Sequence, residues 1–123
     1  MANVINWFEI PARNFDRACA FYSAVLNGDI QKMEMPGDFK MGFLPGTNPE
    51  VAGGAVVQAK GYEPSDKGTV VYLNGGDDLS VPLGRVEAAG GKIIMPKTSI
   101  GENGFMAHFL DTEGNHLAFH SMK

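Results

Sequence analysis

Apolar and polar residues alternate along the chain in patterns that predict short strands and two helices. Residues 4–11 have the composition of a strand, and Asn14 then offers a cap for a helix with apolar residues at helical spacing. Those residues share one face of the helix: Phe15, Ala18, Phe21, Tyr22, Val25 and Leu26. The pair Asn27-Gly28 ends the helix. Three extended segments follow it, at residues 30–35, 40–44 and 55–59.

The same order of elements recurs in the second half of the chain. Residues 69–73 predict a strand, and Asp77, Asp78 and Ser80 offer caps for a second helix that runs to Gly90. Its apolar stripe consists of Leu79, Leu83, Val86 and Ala89. Three further extended segments cover residues 92–95, 104–110 and 116–120. The sequence therefore predicts a single α+β domain of two tandem βαβββ modules, residues 1–60 and 61–123, with residues 60–67 as linker.

Alternation in the last predicted hairpin separates two surfaces. Residues 105, 107, 109, 117 and 119 form the face that a helix covers. With the turn centred near Glu113, His108 lies opposite Ala118 and Met106 lies opposite His120, all on the second face. The two histidines are then diagonal neighbours, whereas His116 beside the turn is expected to be solvent-exposed.

The first strand follows the same rule. Phe8 and Ile10 are expected on the face of the strand that the helix covers, so Trp7 and Glu9 lie together on the opposite face. A sheet with one face packed on helices leaves its concave face free to form a pocket. The predicted lining of this pocket is Trp7, Glu9, Tyr72, Met106, His108 and His120.

Composition narrows the class of partner. The chain has 123 residues and a net charge of -4 without a basic cluster, which argues against nucleic acid and anionic membranes as partners. It has no apolar run of about 18 residues, the length of a membrane span. Its single cysteine, Cys19, permits neither a disulfide framework nor a cysteine-based zinc site. We therefore expect a cytoplasmic protein whose partner is a small molecule or another protein chain.

Three stretches resemble the vicinal-oxygen-chelate superfamily of glyoxalases, bleomycin-resistance proteins and extradiol dioxygenases. Residues 14–22 look like its first helix, residues 77–91 like its second, and residues 109–117, with the pattern Asp-x-x-Gly-Asn, like its closing hairpin. The resemblance implies cupped mixed β-sheets with helices on the outer face, usually in a homodimer. It also implies a divalent metal, held by His or Glu on the first and last strands of both modules. Modules can pair within one chain or between two chains.

The ligand positions that this resemblance implies hold other residue types. Trp7 stands at the first-strand histidine and Ala118 at the closing-strand glutamate. The closing strand of the first module offers only Gln58, and residues 69–73 contain no His, Asp or Glu. We therefore predict no metal cofactor at the usual positions.

Three hypotheses about function follow. The first is a protein that binds a small, partly apolar molecule, without the usual metal, in a cup lined by Trp7, Glu9, His108 and His120. The ligand-binding residues are then Trp7, Tyr72, Met106 and Ala118. The second is a divalent-metal-dependent lyase or dioxygenase with a displaced site on Glu9, His108 and His120, because two histidines and a carboxylate suit such a metal. The third is a dimeric accessory protein with a vestigial cavity.

Two details stay open within these hypotheses. The groups named for the displaced metal site could instead transfer protons without a metal, with Glu9 as the base. Alternatively, His108 and His120 are polar wall residues that hydrogen-bond to Glu9 or to water. Trp7 either stacks on a planar ligand or packs as an ordinary strand aromatic.

Overall fold

The computed structural model describes residues 4–48 and 52–123. The chain forms two compact units, Met1–Pro64 and Ser65–Lys123, here called module one and module two. Each module contains one four-stranded mixed sheet and one α-helix, which agrees with the predicted α+β class. No helix in the described part of the chain is long and apolar enough to cross a membrane.

Module one contains one helix and four strands. They are β1 (Trp7–Pro11), α1 (Phe15–Leu26), β2 (Gln31–Met35), β3 (Phe39–Phe43) and β4 (Gly53–Gln58). The strand order is β1-β4-β3-β2, with β1 parallel to β4 and the other pairs antiparallel. This order places β1 beside the last strand of the module, so side chains of β1 and β4 share a surface.

Helix α1 begins and ends where its capping residues predict. The Asn14 side chain accepts a hydrogen bond of 3.1 Å from the amide of Arg17, which satisfies one of the first-turn donors. At the other end Asn27 adopts the left-handed conformation with φ of 52°. The buried residues on the helix match the predicted apolar stripe, apart from half-buried Leu26 and the additional residue Cys19.

Module two repeats the arrangement with a shorter helix. Its elements are β5 (Val71–Asn74), α2 (Ser80–Leu83), β6 (Lys92–Ser99), a 3₁₀ turn (Gly101–Asn103), β7 (Phe105–Leu110) and β8 (His116–Ser121). The strand order is β5-β8-β7-β6, with β5 parallel to β8. The two sheets therefore have the same topology.

The predicted extent of the second helix was wrong. Regular helix stops at Leu83, before Gly84, a residue that weakens helices. The amides of Arg85 and Val86 then bond to carbonyls three residues back, at 3.0 and 3.2 Å, and turns replace helix. Leu79, Leu83 and Val86 are nevertheless buried, so the apolar stripe still packs on the core.

Strand β6 is longer than predicted, because extended backbone continues past Met95 to Ser99. Its pairing with β7 contains two register shifts, one on each side of the Met95–His108 pair. Pro96 lies in the second irregular stretch, where a residue without an N–H removes no regular ladder bond.

The closing hairpin has the register that alternation predicts. His108 pairs with Ala118 and Met106 with His120. On the opposite face, Phe109 and Phe119 are fully buried and stack with centroids 5.0 Å apart. The predicted division of the hairpin into a core face and a second face is therefore confirmed.

Asp111 organises the turn of this hairpin. Its buried carboxylate accepts hydrogen bonds from the amides of Glu113 and Asn115, at 2.8 and 2.9 Å, and from the Asn115 side chain at 3.0 Å. Gly114 has φ of 88°, which explains the glycine in the Asp-x-x-Gly-Asn pattern. The Asn115 side chain also accepts from the amide of Ser65, so the turn holds the first residue of module two.

Candidate functional site

Glu9 lies at the centre of a polar and aromatic cluster on the helix-free face of module one. One carboxylate oxygen accepts a 2.8 Å hydrogen bond from the hydroxyl of Tyr62, and the other accepts a 3.3 Å bond from the indole Nε1 of Trp7. Trp7 and Glu9 therefore share a face, as alternation predicts. The carboxylate raises the pKa of Tyr62 above its usual value, chiefly through this hydrogen bond.

Tyr62 was not among the predicted site residues. It lies in the predicted linker, which has no apolar periodicity, and a turn bond from its amide to the carbonyl of Ala59 brings the chain back over β4. Its ring packs edge-on against Phe39 with centroids 5.8 Å apart. Only the folded chain reveals that this residue belongs with Glu9.

A pocket of about 650 Å³ opens beside Trp7. Trp7 and Phe43 supply aromatic walls, with ring centroids 5.9 Å apart, and Asp29 supplies a carboxylate. The indole of Trp7 thus contacts both the pocket and the Glu9 carboxylate.

Module two carries a chain of hydrogen bonds on the corresponding face of its sheet. The hydroxyl of Tyr72 lies 2.9 Å from Nε2 of His108, and Nδ1 of His108 lies 2.7 Å from Nε2 of His116. The Tyr72 hydroxyl also lies 3.7 Å from the sulfur of Met106. Tyr72, Met106 and His108 are therefore brought together, and both ring nitrogens of His108 have protein partners.

His116 corrects an expectation, because it is half-buried in this chain of contacts and not simply exposed beside the turn. The sequence already indicated that His116 belongs with His108, since alternation places the two residues on the same face. Desolvation by burial lowers the pKa of His108 below the ordinary value of 6.5, and the neighbouring His116 lowers it further.

His120 lies one pair further along the hairpin. Its Nε2 donates to the backbone carbonyl of Asn103 at 2.6 Å, so the proton on this ring nitrogen is fixed by a protein acceptor. A second pocket, of about 510 Å³, is bordered by His120, Tyr72 and Asn74. Ala118 is fully buried between its strand partners Tyr72 and His108.

The residues at the ligand positions that the sequence resemblance implies do not fit a metal ion. Trp7 presents an N–H donor to Glu9, and Ala118 has no donor atom. Gln58 lies on the helix face, where its side-chain oxygen accepts a 2.6 Å bond from the amide of Phe15. Among residues 4–48 and 52–123, no three His, Cys, Asp or Glu side chains form a group that could hold a metal.

The three residues of the predicted displaced site have separate partners. Glu9 bonds to Trp7 and Tyr62 in module one. In module two, His108 bonds to Tyr72 and His116, and His120 bonds to a backbone carbonyl. Each of these three side chains therefore has at least one hydrogen-bonding atom that is directed by a protein partner.

Several solved structures share this fold at low sequence identity. A glyoxalase/bleomycin resistance protein from Albidiferax ferrireducens has a TM-score of 0.75 at 12% identity, over 95% of this chain and 97% of that chain. The fosfomycin resistance protein FosX from Listeria monocytogenes has a TM-score of 0.68 at 12% identity, over 98% of this chain and 94% of that chain. A variant of glyoxalase I from Zea mays has a TM-score of 0.73 at 17% identity, over 95% of this chain but 45% of that chain.

No curated protein matches the chain. The sequence model of the Glyoxalase/Bleomycin resistance protein/Dioxygenase superfamily matches residues 4–119, which is nearly the whole length, and the chain therefore belongs to this superfamily.

Proposed function

We propose that this protein binds a small, partly apolar molecule on the helix-free faces of its sheets and does so without a resident metal ion. The observation that carries the proposal is the Tyr72–His108–His116 chain beside the pocket of about 510 Å³ in module two. A pocket that combines apolar surface with a few directed polar groups is the usual form of a small-molecule site. Met122 supplies part of the apolar surface of this pocket, and Tyr72 and His120 supply hydrogen-bonding groups. Met106 contacts the Tyr72 hydroxyl.

The hydrogen bonds of two histidines support the part of the proposal that concerns metal. Nε2 of His120 carries the proton that it donates to Asn103, so only Nδ1 of this ring keeps a lone pair for a metal. Both nitrogens of His108 are engaged, with Tyr72 and with His116. A metal ion at His108 would therefore have to break a hydrogen bond that the fold already makes.

Calorimetric titration with Ni²⁺, Zn²⁺, Mn²⁺ and Fe²⁺ tests this part of the proposal. We expect no tight binding near one metal per chain in the wild type, and no difference in the Glu9→Ala and His120→Ala variants. Tight stoichiometric binding that both substitutions abolish would instead establish a displaced metal site on Glu9, His108 and His120.

A thermal-shift and NMR fragment screen on the metal-free protein tests the ligand site. Ligands that bind the folded chain raise its melting temperature by mass action. We expect some fragments to do so and to shift the resonances of residues 72, 74 and 120, with the effect weakened in His120→Ala. The exposed Glu87→Ala variant is the matched control and should retain binding. If no fragment protects the fold, the cavity is vestigial, as in an accessory protein.

Metal-free proton transfer is a second candidate function, and the Tyr72–His108–His116 contacts favour it. The Tyr72 hydroxyl contacts His108, which in turn contacts His116, so a proton taken up at the hydroxyl oxygen can be matched by proton shifts along the chain that leave the charge on the second ring. Fragments that bind in the screen can be incubated in D₂O and followed by NMR for exchange of carbon-bound hydrogen. Exchange that Tyr72→Phe abolishes without loss of binding would establish this activity, and binding without exchange would leave the protein a binder.

A further inference from the structure

The Glu9 carboxylate is a half-buried charge that has no counter-ion among residues 4–48 and 52–123. Glu9 is half-buried, and its two oxygens accept only neutral donors, the Tyr62 hydroxyl and the Trp7 indole. Within the residues that the structure describes, no Lys or Arg side chain forms an ion pair with it. Charges removed from water are normally compensated by a charge of opposite sign. This carboxylate therefore favours a cation that comes from outside the chain.

The surroundings of the carboxylate are aromatic. Trp7 packs against Phe43, and Tyr62 packs against Phe39, with centroid separations of 5.9 and 5.8 Å. Because Trp7 and Tyr62 each bond one oxygen of Glu9, the two aromatic pairs flank the carboxylate. The faces of aromatic rings attract cations, and tryptophan does so most strongly. We call these five residues the Glu9 cluster.

Two members of the cluster, Trp7 and Phe43, line the pocket beside Trp7. Trp7 is 38% exposed, and the pocket of about 650 Å³ has the size of a small-molecule site. Asp29 adds a second carboxylate to the wall of that pocket, and the chain as a whole carries a net charge of -4. Electrostatics therefore favours cations and disfavours anions at this entrance.

From this combination we infer that the Glu9 cluster binds an organic cation, of the quaternary or alkylated ammonium class. Such a group has a diffuse charge and an apolar surface, so it suits aromatic faces together with one carboxylate. A hydrated metal ion is less suitable, since the same cluster offers few oxygen ligands. The inference rests on the proposed small-molecule function and specifies its ligand in module one.

Fluorescence of Trp7 reports on this site directly, because the chain has a single tryptophan. The wild-type protein is titrated with choline, with its uncharged carbon isostere 3,3-dimethylbutan-1-ol, and with NaCl at matched ionic strength. We expect a saturable change with choline, a response at least about tenfold weaker with the isostere, and none with NaCl, because cation–π and carboxylate attraction both need the charge.

Two variants separate the role of Glu9 from general effects of charge. Glu9→Gln keeps the size and a hydrogen-bond acceptor but removes the charge, so the affinity for choline should fall about tenfold or more. Glu87→Gln removes an exposed charge in module two and should bind choline as the wild type does. Should Glu9→Gln unfold, Phe43→Leu removes one aromatic wall, with the charge retained, and should also weaken binding.

The outcomes distinguish this inference from the proposed function. If the isostere binds as well as choline, or Glu9→Gln leaves the affinity for choline unchanged, the cationic ligand class is wrong while small-molecule binding still stands. If neither compound alters the fluorescence of Trp7, the inference is overturned. The fragment screen on module two then decides the proposed function separately.

Discussion

Nδ1 of His108 lies 2.7 Å from Nε2 of His116 on the helix-free face of the closing hairpin. A contact this short between two ring nitrogens holds one proton, which belongs to one ring or to the other. Both rings cannot be fully protonated while the contact lasts, because two N–H groups would then face each other. The pair therefore resists the second protonation, and desolvation of His108 acts in the same direction.

We expect His108 to titrate below pH 6.5 in the folded protein, because burial and the neighbouring His116 both lower its pKa. NMR can follow each ring separately, since the chain has only three histidines. His116→Gln removes the neighbouring charge and should raise the pKa of His108 towards its ordinary value, although burial still holds it down. His120→Gln is the matched control and should leave the titration of His108 unchanged. A wild-type pKa at or above 6.5 would contradict this account.

The same shift makes stability depend on pH. Because the pKa of His108 is lower in the folded than in the unfolded chain, the folded chain binds fewer protons between the two values. The free energy of unfolding should therefore decrease as the pH falls from about 6.5 towards the folded-state pKa, and this contribution should level off below it. Urea denaturation at several pH values measures the effect. The decrease should be smaller in His108→Gln, and equal slopes in the two proteins would exclude His108 as its source.

The elements that were predicted well are those set by local rules. Asn14 and Asn27 are capping residues, so the bounds of α1 could be predicted from the sequence. The pairing of His108 with Ala118 follows from alternation and from the position of the turn at Glu113. Helix α2 ended early because Gly84 and the following turns override an apolar stripe that still packs as predicted. Spacing alone does not distinguish a helix from a series of turns with the same buried residues.

The candidate site could be predicted only for residues on strands, where alternate side chains point to opposite faces of the sheet. Trp7 and Glu9 followed from alternation, but Tyr62 depends on a contact across 53 residues from a linker without a pattern. Gln58 could have been assigned to the helix face, since Phe8 pairs with Gly54 and Ile10 with Val56. Alternation along β4 therefore places Gln58 on the opposite face from Glu9.

Gln58 is expected to stabilise helix α1 and to have no part in ligand binding. Its side-chain oxygen accepts the amide of Phe15 at 2.6 Å, so Gln58→Ala should lower the free energy of unfolding by about 1 kcal/mol. Gln58→Glu retains an acceptor and adds a negative charge at the helix N-terminus, and it should be nearly as stable as the wild type. Chemical denaturation measures both variants. Loss of ligand binding in Gln58→Ala without loss of stability would show that the residue belongs to the site.

Phe119 should be among the most costly positions to truncate in module two. It is fully buried and stacks on Phe109, so Phe119→Ala removes a large side chain from a packed core and should cost about 3–5 kcal/mol. Phe119→Leu fills more of the space and should cost much less. Met122, which is 62% exposed, provides the control, and Met122→Ala should change stability by less than about 0.5 kcal/mol. Denaturation followed by circular dichroism gives all three values.

We expect the Asp111 carboxylate to stabilise the closing turn, because its charge strengthens hydrogen bonds that its position allows it to accept. The carboxylate is 5% exposed and bonds to the amides of Glu113 and Asn115 and to the Asn115 side chain. Asp111→Ala removes the acceptor of all three bonds in a buried region and should cost about 2–4 kcal/mol. Asp111→Asn keeps an oxygen for the two amides but turns a donor towards the donor of Asn115, so it should fall between the wild type and Asp111→Ala.

Hydrogen exchange shows where the destabilisation of Asp111→Ala acts. Protection should fall most for the amides of Glu113 and Asn115, which the carboxylate holds directly, and less for α1 in module one. The amide of Ser65, which donates to the Asn115 side chain, should also lose protection, because Asn115 depends on Asp111 for its position. If Asp111→Ala left these three amides protected as in the wild type, the turn would be held by its backbone alone and the carboxylate would have no organising role.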